Sequence, residues 1–297
     1  MPISTILQPD WDSAAIEAKG LPRFSPDQLS AIKAEVSEGA GFALVDGVVA
    51  ADNPNNAAAQ VAAFGRQLGT PLIQNERRET VVEIADFSDE DERDDRGLRS
   101  PGELTPHTDP PPMIALYCVR GARRGGRTTL VNALRVHNQV RDEDEAAFQR
   151  LCRGYPTYVP DLAGKGTGSV RPRVPIFADD GGGGLSCVYY RPFIEKAAEM
   201  SGAPLAGPDV DALDRFDAAA QREENIVSFD LQAGEMLVLS NFRVMHARAP
   251  YEDWPEKERR RLLLRLWLDA DWMAKAPVSQ PLRRNTAQEF ERAISGG

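Results

Sequence analysis

The chain is short of several residue types that would settle its class at once. Its 297 residues include three cysteines, Cys118, Cys152 and Cys187, widely spaced and with no CxxC. That odd, scattered set suggests neither a disulfide framework nor a structural zinc site, and fits reduced, mostly buried thiols. No apolar run approaches the roughly 20 residues that span a bilayer. The opening stretch MPISTILQPDWDSAA lacks a basic n-region and an apolar h-region, so no secretory signal is expected and the cytoplasm is the default location. Positive charge is also in deficit, with 35 Lys and Arg against 45 Asp and Glu and a formal net charge of −10. Proteins that grip phosphate backbones or anionic membranes carry a basic excess, so no nucleic acid and no membrane is expected as the main partner. Histidine is equally scarce, with only His107, His137 and His246.

What is present is ordinary globular material. Hydrophobic residues make up 42% and charged residues 27%, enough to bury a core without staples. Ser25 followed by Pro26, with Leu29, Ile32 and Val36 at helical spacing, predicts a capped helix over 25–37. The alanine-rich stretch 53–69 predicts a second helix ending at Gly69. Residues 133–153 read as helical, and 208–223 place Val210, Leu213, Phe216 and Ala220 on one face. Between these lie short apolar runs: GFALVDGVV at 41–49, PLIQ, TVVEIADF, MIALYCV from 113, TTLVNA, VPIF, LSCVYY, IVSFDL, AGEMLVLSN, VMHARAP and RLLLRLWLD at 261–269. Many short strands with turn signals and few helices predict a mainly β fold with flanking helices, a sandwich or barrel. No repeat or clear linker divides the chain, so one domain over 1–297 is expected, with an insert at about 155–225.

Residues 86–99, DFSDEDERDDRGLR, are dense in charge and poor in apolar groups, so they predict a loop. Two readings are open: a solvated surface loop, or a lid over the nearby His107 segment. The run Gly181–Gly184 lacks the lysine and hydroxyl residues of a phosphate-binding loop and reads as a turn.

His107-Thr108-Asp109 is an HxD element. On extended backbone, residues i and i+2 point to one side, so an imidazole and a carboxylate can converge on one ion. His246 is the best candidate for a third ligand. Two histidines and one carboxylate are the facial triad of non-haem iron oxygenases, which leaves three coordination positions open. With 45 acidic residues in 297, an HxD element also arises readily by chance, and its surroundings must carry the argument.

Those surroundings are LTPHTDPPP (104–112), GARRGGRTTLVNA (121–133), LQAGEMLVLSNFRVMHARAPYED (231–253) and RRLLLRLWLD (260–269). In order and spacing the chain resembles the taurine dioxygenase and clavaminate synthase-like family of Fe(II)- and 2-oxoglutarate-dependent oxygenases over roughly residues 40–270. The resemblance implies a double-stranded β-helix, or jelly-roll, core. It implies Fe(II) on His107, Asp109 and His246, and 2-oxoglutarate held at its distal carboxylate by Thr128 and Arg261. Arg265 then corresponds to a second arginine near the cosubstrate or substrate. Arg260 is the neighbouring alternative to Arg261. His137 matches no ligand and reads as structural, while Arg243 and Arg248 are either ligand-orienting or structural.

The implied chemistry is oxidative decarboxylation of 2-oxoglutarate by O2, coupled to hydroxylation or desaturation of a small molecule. A metal-binding carboxylate at position 109 disfavours halogenation. An amino acid or related zwitterion suits both the acidic segment and Arg265. The alternatives are a sulfonate- or aryloxyacid-type dioxygenase of the same family, or a non-catalytic jelly-roll binding module. Oligomeric state is not legible.

Overall fold

The computed structural model describes residues 6–7, 24–49, 56–87, 100–160, 168–179, 184–284, 286 and 288. Residues 88–99 of the acidic segment and 181–183 of the glycine run lie outside the described residues.

The apolar runs build two antiparallel sheets. In the larger, the strand order is β1 (Ile6–Leu7), β2 (Phe42–Val45), β14 (Met236–Ser240), β6 (Met113–Arg120), β17 (Leu262–Asp269) and β3 (Thr70–Pro71), with β4 (Val81–Ile84) also pairing with β17. β1 and β2 are its one parallel pair. The smaller sheet runs β13 (Ile226–Phe229), β8 (Thr128–Asn132), β15 (Val244–Arg248) and β5 (Leu104–His107). From β5 onwards the chain crosses repeatedly between the two sheets, and this double-stranded β-helix is the fold expected.

Strand β17 shows why its sequence is an almost unbroken apolar run. Leu264, Leu266 and Leu268 face a layer of helices, whereas Leu263 and Trp267 face the other sheet. A strand covered on both sides needs apolar residues on both faces. Arg265 falls on the inner face with Leu263 and Trp267.

On the outer face of the large sheet lie α1 (Pro26–Ser37) and α2 (Ala57–Leu68). Ser25 and Gln28 form a capping box at the start of α1, with Ser25 N–H donating to Gln28 Oε1 at 2.8 Å and Gln28 N–H to Ser25 Oγ at 3.2 Å. Ile32, Val36, Val61, Phe64 and Leu68 then pack against Ala43, Val45, Val238 and Leu266. Phe42, Leu44, Ile114, Leu130, Phe229, Leu237, Leu239, Val244 and Trp267 fill the space between the sheets.

The long excursion from β8 to β13 covers the outer face of the small sheet. It contains α3 (Ala133–Glu143), α4 (Glu145–Arg153), α5 (Arg191–Met200) and α6 (Gly207–Ala220), with the strand pairs β9 (Tyr155–Val159) with β10 (Ser169–Val174) and β11 (Phe177–Asp179) with β12 (Leu185–Cys187). Val131 and Met245 are buried beneath Val136, Leu151, Leu213 and Phe216.

Three local readings change. Residues 133–153 form two helices, because Asp144 leaves helical geometry and its carboxylate caps the second by accepting from Ala147 N–H at 3.0 Å. α5 was hidden in a Gly- and Pro-rich stretch read as strands and turns, although Pro192 suits a helix's first turn. Of PLIQ, only Pro71 joins a strand.

Candidate metal centre

His107 ends β5 and His246 is central in β15, and the two residues are cross-strand partners. Their ring centroids are 4.1 Å apart. Asp109 follows in the turn between β5 and β6. One donor atom from each of His107, Asp109 and His246 lies within 4.8 Å of the others, and all three residues are buried.

The turn carrying Asp109 is held rigidly. Prolines 110–112 offer no N–H, so their carbonyls are the groups that need partners. Thr286 Oγ1 donates to Pro110 O at 3.2 Å, Asn241 Nδ2 and Arg283 Nη1 donate to Pro111 O at 2.8 and 3.1 Å, and Asn241 N–H donates to Pro112 O at 2.9 Å. The Asp109 N–H donates to Asn241 Oδ1 at 3.3 Å. Thr108 is clamped to Tyr189 by two hydrogen bonds of 2.9 and 3.0 Å.

His107 Nδ1 donates to the Thr105 carbonyl at 2.8 Å, which fixes the tautomer and leaves Nε2 bare. His246 Nδ1 is buried with no hydrogen-bond partner among the described residues. Burial pushes His246 down to about 3, helped by the neighbouring His107, and also lowers His107 against the opposing pull of Asp109. Burial alone would raise Asp109, but Arg265, then both histidines and the Trp267 hydrogen bond outweigh it and hold the carboxyl well below the usual range. Two neutral imidazoles and one carboxylate are the states a divalent metal requires. The donor set fits Fe(II).

The structure gives Arg265 a partner that the sequence did not disclose. Its Nη1 donates to Asp109 Oδ2 at 3.1 Å and its Nε to Gln74 Oε1 at 2.8 Å. Trp267 Nε1 donates to the same Asp109 oxygen at 3.0 Å. Arg265 Nη2 is buried and has no partner among the described residues.

Arg261 carries a second buried guanidinium nitrogen without a hydrogen-bond partner among the described residues. The residue is 6% exposed, and the atom is Nη1. Its guanidinium stands 5.2 Å over the Tyr251 ring, and its Nε is 3.5 Å from where a Cβ would sit on Gly126. Arg260 turns elsewhere, donating to the carbonyls of Trp254, Asp86 and Pro255. Thr128 is buried on β8, two residues beyond Gly126 and opposite Arg248 on β15. A buried guanidinium with no hydrogen-bonded anion is costly, and the planar fork of Arg261 suits a carboxylate.

The other expected residues separate clearly. Arg243 points away from the centre and donates to Ser37 O and Gly39 O. Arg248 ties the entry to β5 by donating to Ser100 O and Gly102 O. His137 stacks edge-on against Phe148 and Phe177, a structural position. All three cysteines are free. Tyr190 was not anticipated; its ring centroid lies 5.2 Å from that of His107 and 4.6 Å from that of Phe193.

The sequence profile described as taurine catabolism dioxygenase TauD, TfdA family matches residues 7–267. The chain belongs to the TauD, TfdA dioxygenase family. It is 30% identical over 287 residues to FR-33289 synthase of Streptomyces rubellomurinus, covering 92% of this chain and 81% of that one. It is 31% identical over 248 residues to a uridine-5'-phosphate dioxygenase of an Amycolatopsis species, covering 77% and 86%. An asparagine oxygenase solved with Fe(II), 3-hydroxyasparagine and succinate shares the fold with a TM-score of 0.64 at 16% identity, covering 87% and 80%. The non-haem iron oxygenase OrfP, solved with iron and alpha-ketoglutaric acid, does so at 0.61 and 13%, covering 84% and 81%. The TauD, TfdA chain is thus an enzyme of the non-haem iron, 2-oxoglutarate-dependent dioxygenase class expected from sequence. Among the described residues, no helix is long and apolar enough to cross a membrane.

Proposed function

We propose that this dioxygenase hydroxylates or desaturates an amino acid or related small ionic metabolite in the cytoplasm, with Fe(II) held by His107, Asp109 and His246. Thr128 and Arg261 hold the distal carboxylate of 2-oxoglutarate. The observation that carries this reading is the buried, unpartnered Nη1 of Arg261 beside Gly126. Without a carboxylate there, the fold leaves Nη1 of a buried guanidinium unsatisfied.

When bound, iron and 2-oxoglutarate supply the oxidation by O2, with succinate and CO2 as coproducts. The protein's own part is positional. The β5–β15 pair presents two neutral imidazoles side by side, and the proline turn fixes the carboxylate beside them. Arg261 and Thr128 set the cosubstrate's direction. Tyr190 and Phe193 form an aromatic wall next to His107, against which a substrate can pack and displace water.

A second reading, a nucleoside 5'-phosphate as substrate, is favoured by the similarity to uridine-5'-phosphate dioxygenase. The deciding experiment measures succinate release against amino acids, nucleoside 5'-phosphates, sulfonates and aryloxyacids. Turnover above background with an amino acid supports the first reading; turnover confined to nucleotides replaces it. Anaerobic addition of Fe(II) and 2-oxoglutarate is expected to give a visible absorption band, and its absence in folded protein would favour a binding module.

A further inference from the structure

Asp109 is a carboxylate with one oxygen fully used. Oδ2 accepts from both Arg265 Nη1 at 3.1 Å and Trp267 Nε1 at 3.0 Å. A carboxylate oxygen has two lone-pair directions, so two donors saturate it and leave Oδ1 as the atom with capacity for a metal. Neither donor is free to wander. Arg265 and Trp267 are i and i+2 on β17 and therefore share its inner face. Arg265 is 2% exposed and Trp267 is fully buried. Gln74, also fully buried, accepts from Arg265 Nε at 2.8 Å while its own Nε2 donates to Arg265 O at 3.0 Å and Thr80 O at 2.8 Å. Trp267 is fully buried, so turning Asp109 away would break a buried hydrogen bond, which is penalised.

We infer that Trp267 is a positioning residue that, with the Gln74-braced Arg265, holds Asp109 as a one-oxygen metal ligand. The consequence is a coordination count. A carboxylate chelating through both oxygens would fill a fourth position on the metal and leave two. Held by Oδ2, Asp109 fills one, and three remain for a bidentate 2-oxo acid and O2. The inference rests on the metal reading above and adds a residue from a different strand, 158 positions away.

The test uses the full chain and metals alone, without turnover. Trp267→Phe keeps an aromatic ring, although a smaller one, and deletes the donor. Anaerobic Co(II) titration, followed by its visible bands, should show affinity weakened by about 10- to 100-fold, the range for loss of an outer-shell partner, with a changed band pattern as Asp109 swings towards two-oxygen binding. Unchanged affinity and bands in the folded variant would overturn the inference. The native protein offers a second measurement that does not depend on the variant folding. Its four tryptophans, Trp11, Trp254, Trp267 and Trp272, give four indole N–H signals in 15N-tryptophan NMR spectra. One solvent-protected signal should shift when Zn(II) is added; four unmoved signals with Zn(II) bound would overturn the inference. Failure of the native protein to bind either metal would instead bring down the metal reading, and the inference with it.

Discussion

His107 and His246 face each other directly across the β5–β15 ladder, with ring centroids 4.1 Å apart. Two of the three proposed metal ligands are therefore placed by strand register, set by main-chain pairing rather than by flexible side-chain reach. Replacing His246 by Ala should abolish measurable divalent metal binding, a larger loss than the roughly 10- to 100-fold that outer-shell changes cause. Isothermal titration with Co(II) or Zn(II) checks this, and near-native affinity would remove His246 from the ligand set.

Acid should destabilise the metal-free protein from about pH 6.5 downwards. His246 sits at about 3 and His107 is also lowered, burial being the main cause for both. An unfolded chain takes up protons on these imidazoles below about 6.5, while the folded chain does not. Stability is therefore full above that pH and falls as pH drops towards 3, by about 1.4 kcal/mol per unit for His246. Urea unfolding of metal-free protein at pH 7 and pH 5.5 should show a lower midpoint at pH 5.5. Equal midpoints would mean that the imidazoles are already charged in the fold.

Arg261 should be the residue whose loss is felt in the KM for 2-oxoglutarate. Removing one partner of a buried charge-assisted pair costs about 2–5 kcal/mol, so Arg261→Gln should raise that KM by roughly 30-fold or more. Arg260→Gln, whose guanidinium is occupied by carbonyls away from the pocket, should change it little. The reverse pattern would shift the assignment by one residue.

Gly126 joins backbone strain to the same pocket. Its φ is +76°, and an added Cβ would lie 3.3 Å from Tyr251 Cβ and 3.5 Å from Arg261 Nε. Gly126→Ala should destabilise the protein by about 1–2 kcal/mol from the left-handed conformation alone. It should also raise the KM for 2-oxoglutarate by crowding Arg261. Thermal unfolding and steady-state kinetics separate the two effects, and an unaltered KM would place the cosubstrate elsewhere.

The residues legible in the sequence were those whose chemistry is local. HTD gained weight only beside the GGRT element and the pair Arg261 and Arg265 at matching order and spacing, and the long apolar run of β17 announced a strand buried on both faces. Trp267 and Gln74 were not legible as ligand supports, because their relation to Asp109 exists only once β17 pairs with β6 and the turn after β5 folds over them. Trp267 could have been suspected from its place two residues beyond Arg265 on the same face. α5 was missed because glycine and proline dominate its surroundings, although its own RPFIEKAAEM is a reasonable helix. Asp144 split a predicted single helix because its side chain competes for a backbone N–H more effectively than helical continuity does.

The smaller sheet is also a measuring stick. His246 and Arg248 are two residues apart on β15, and Arg248 is paired with Thr128 on β8, so the rung that offers an imidazole and the rung that offers the threonine are about 7 Å apart on one inward face. On the proposed reading, a diacid must chelate at one rung while its far end reaches the other. A five-carbon 2-oxo diacid spans the interval. Oxaloacetate, one carbon shorter, should fall short of Thr128 and Arg261, and 2-oxoadipate, one carbon longer, should buckle, so neither should support more than weak turnover. Discrimination by chain length then follows from the spacing of hydrogen-bonded rungs along the sheet.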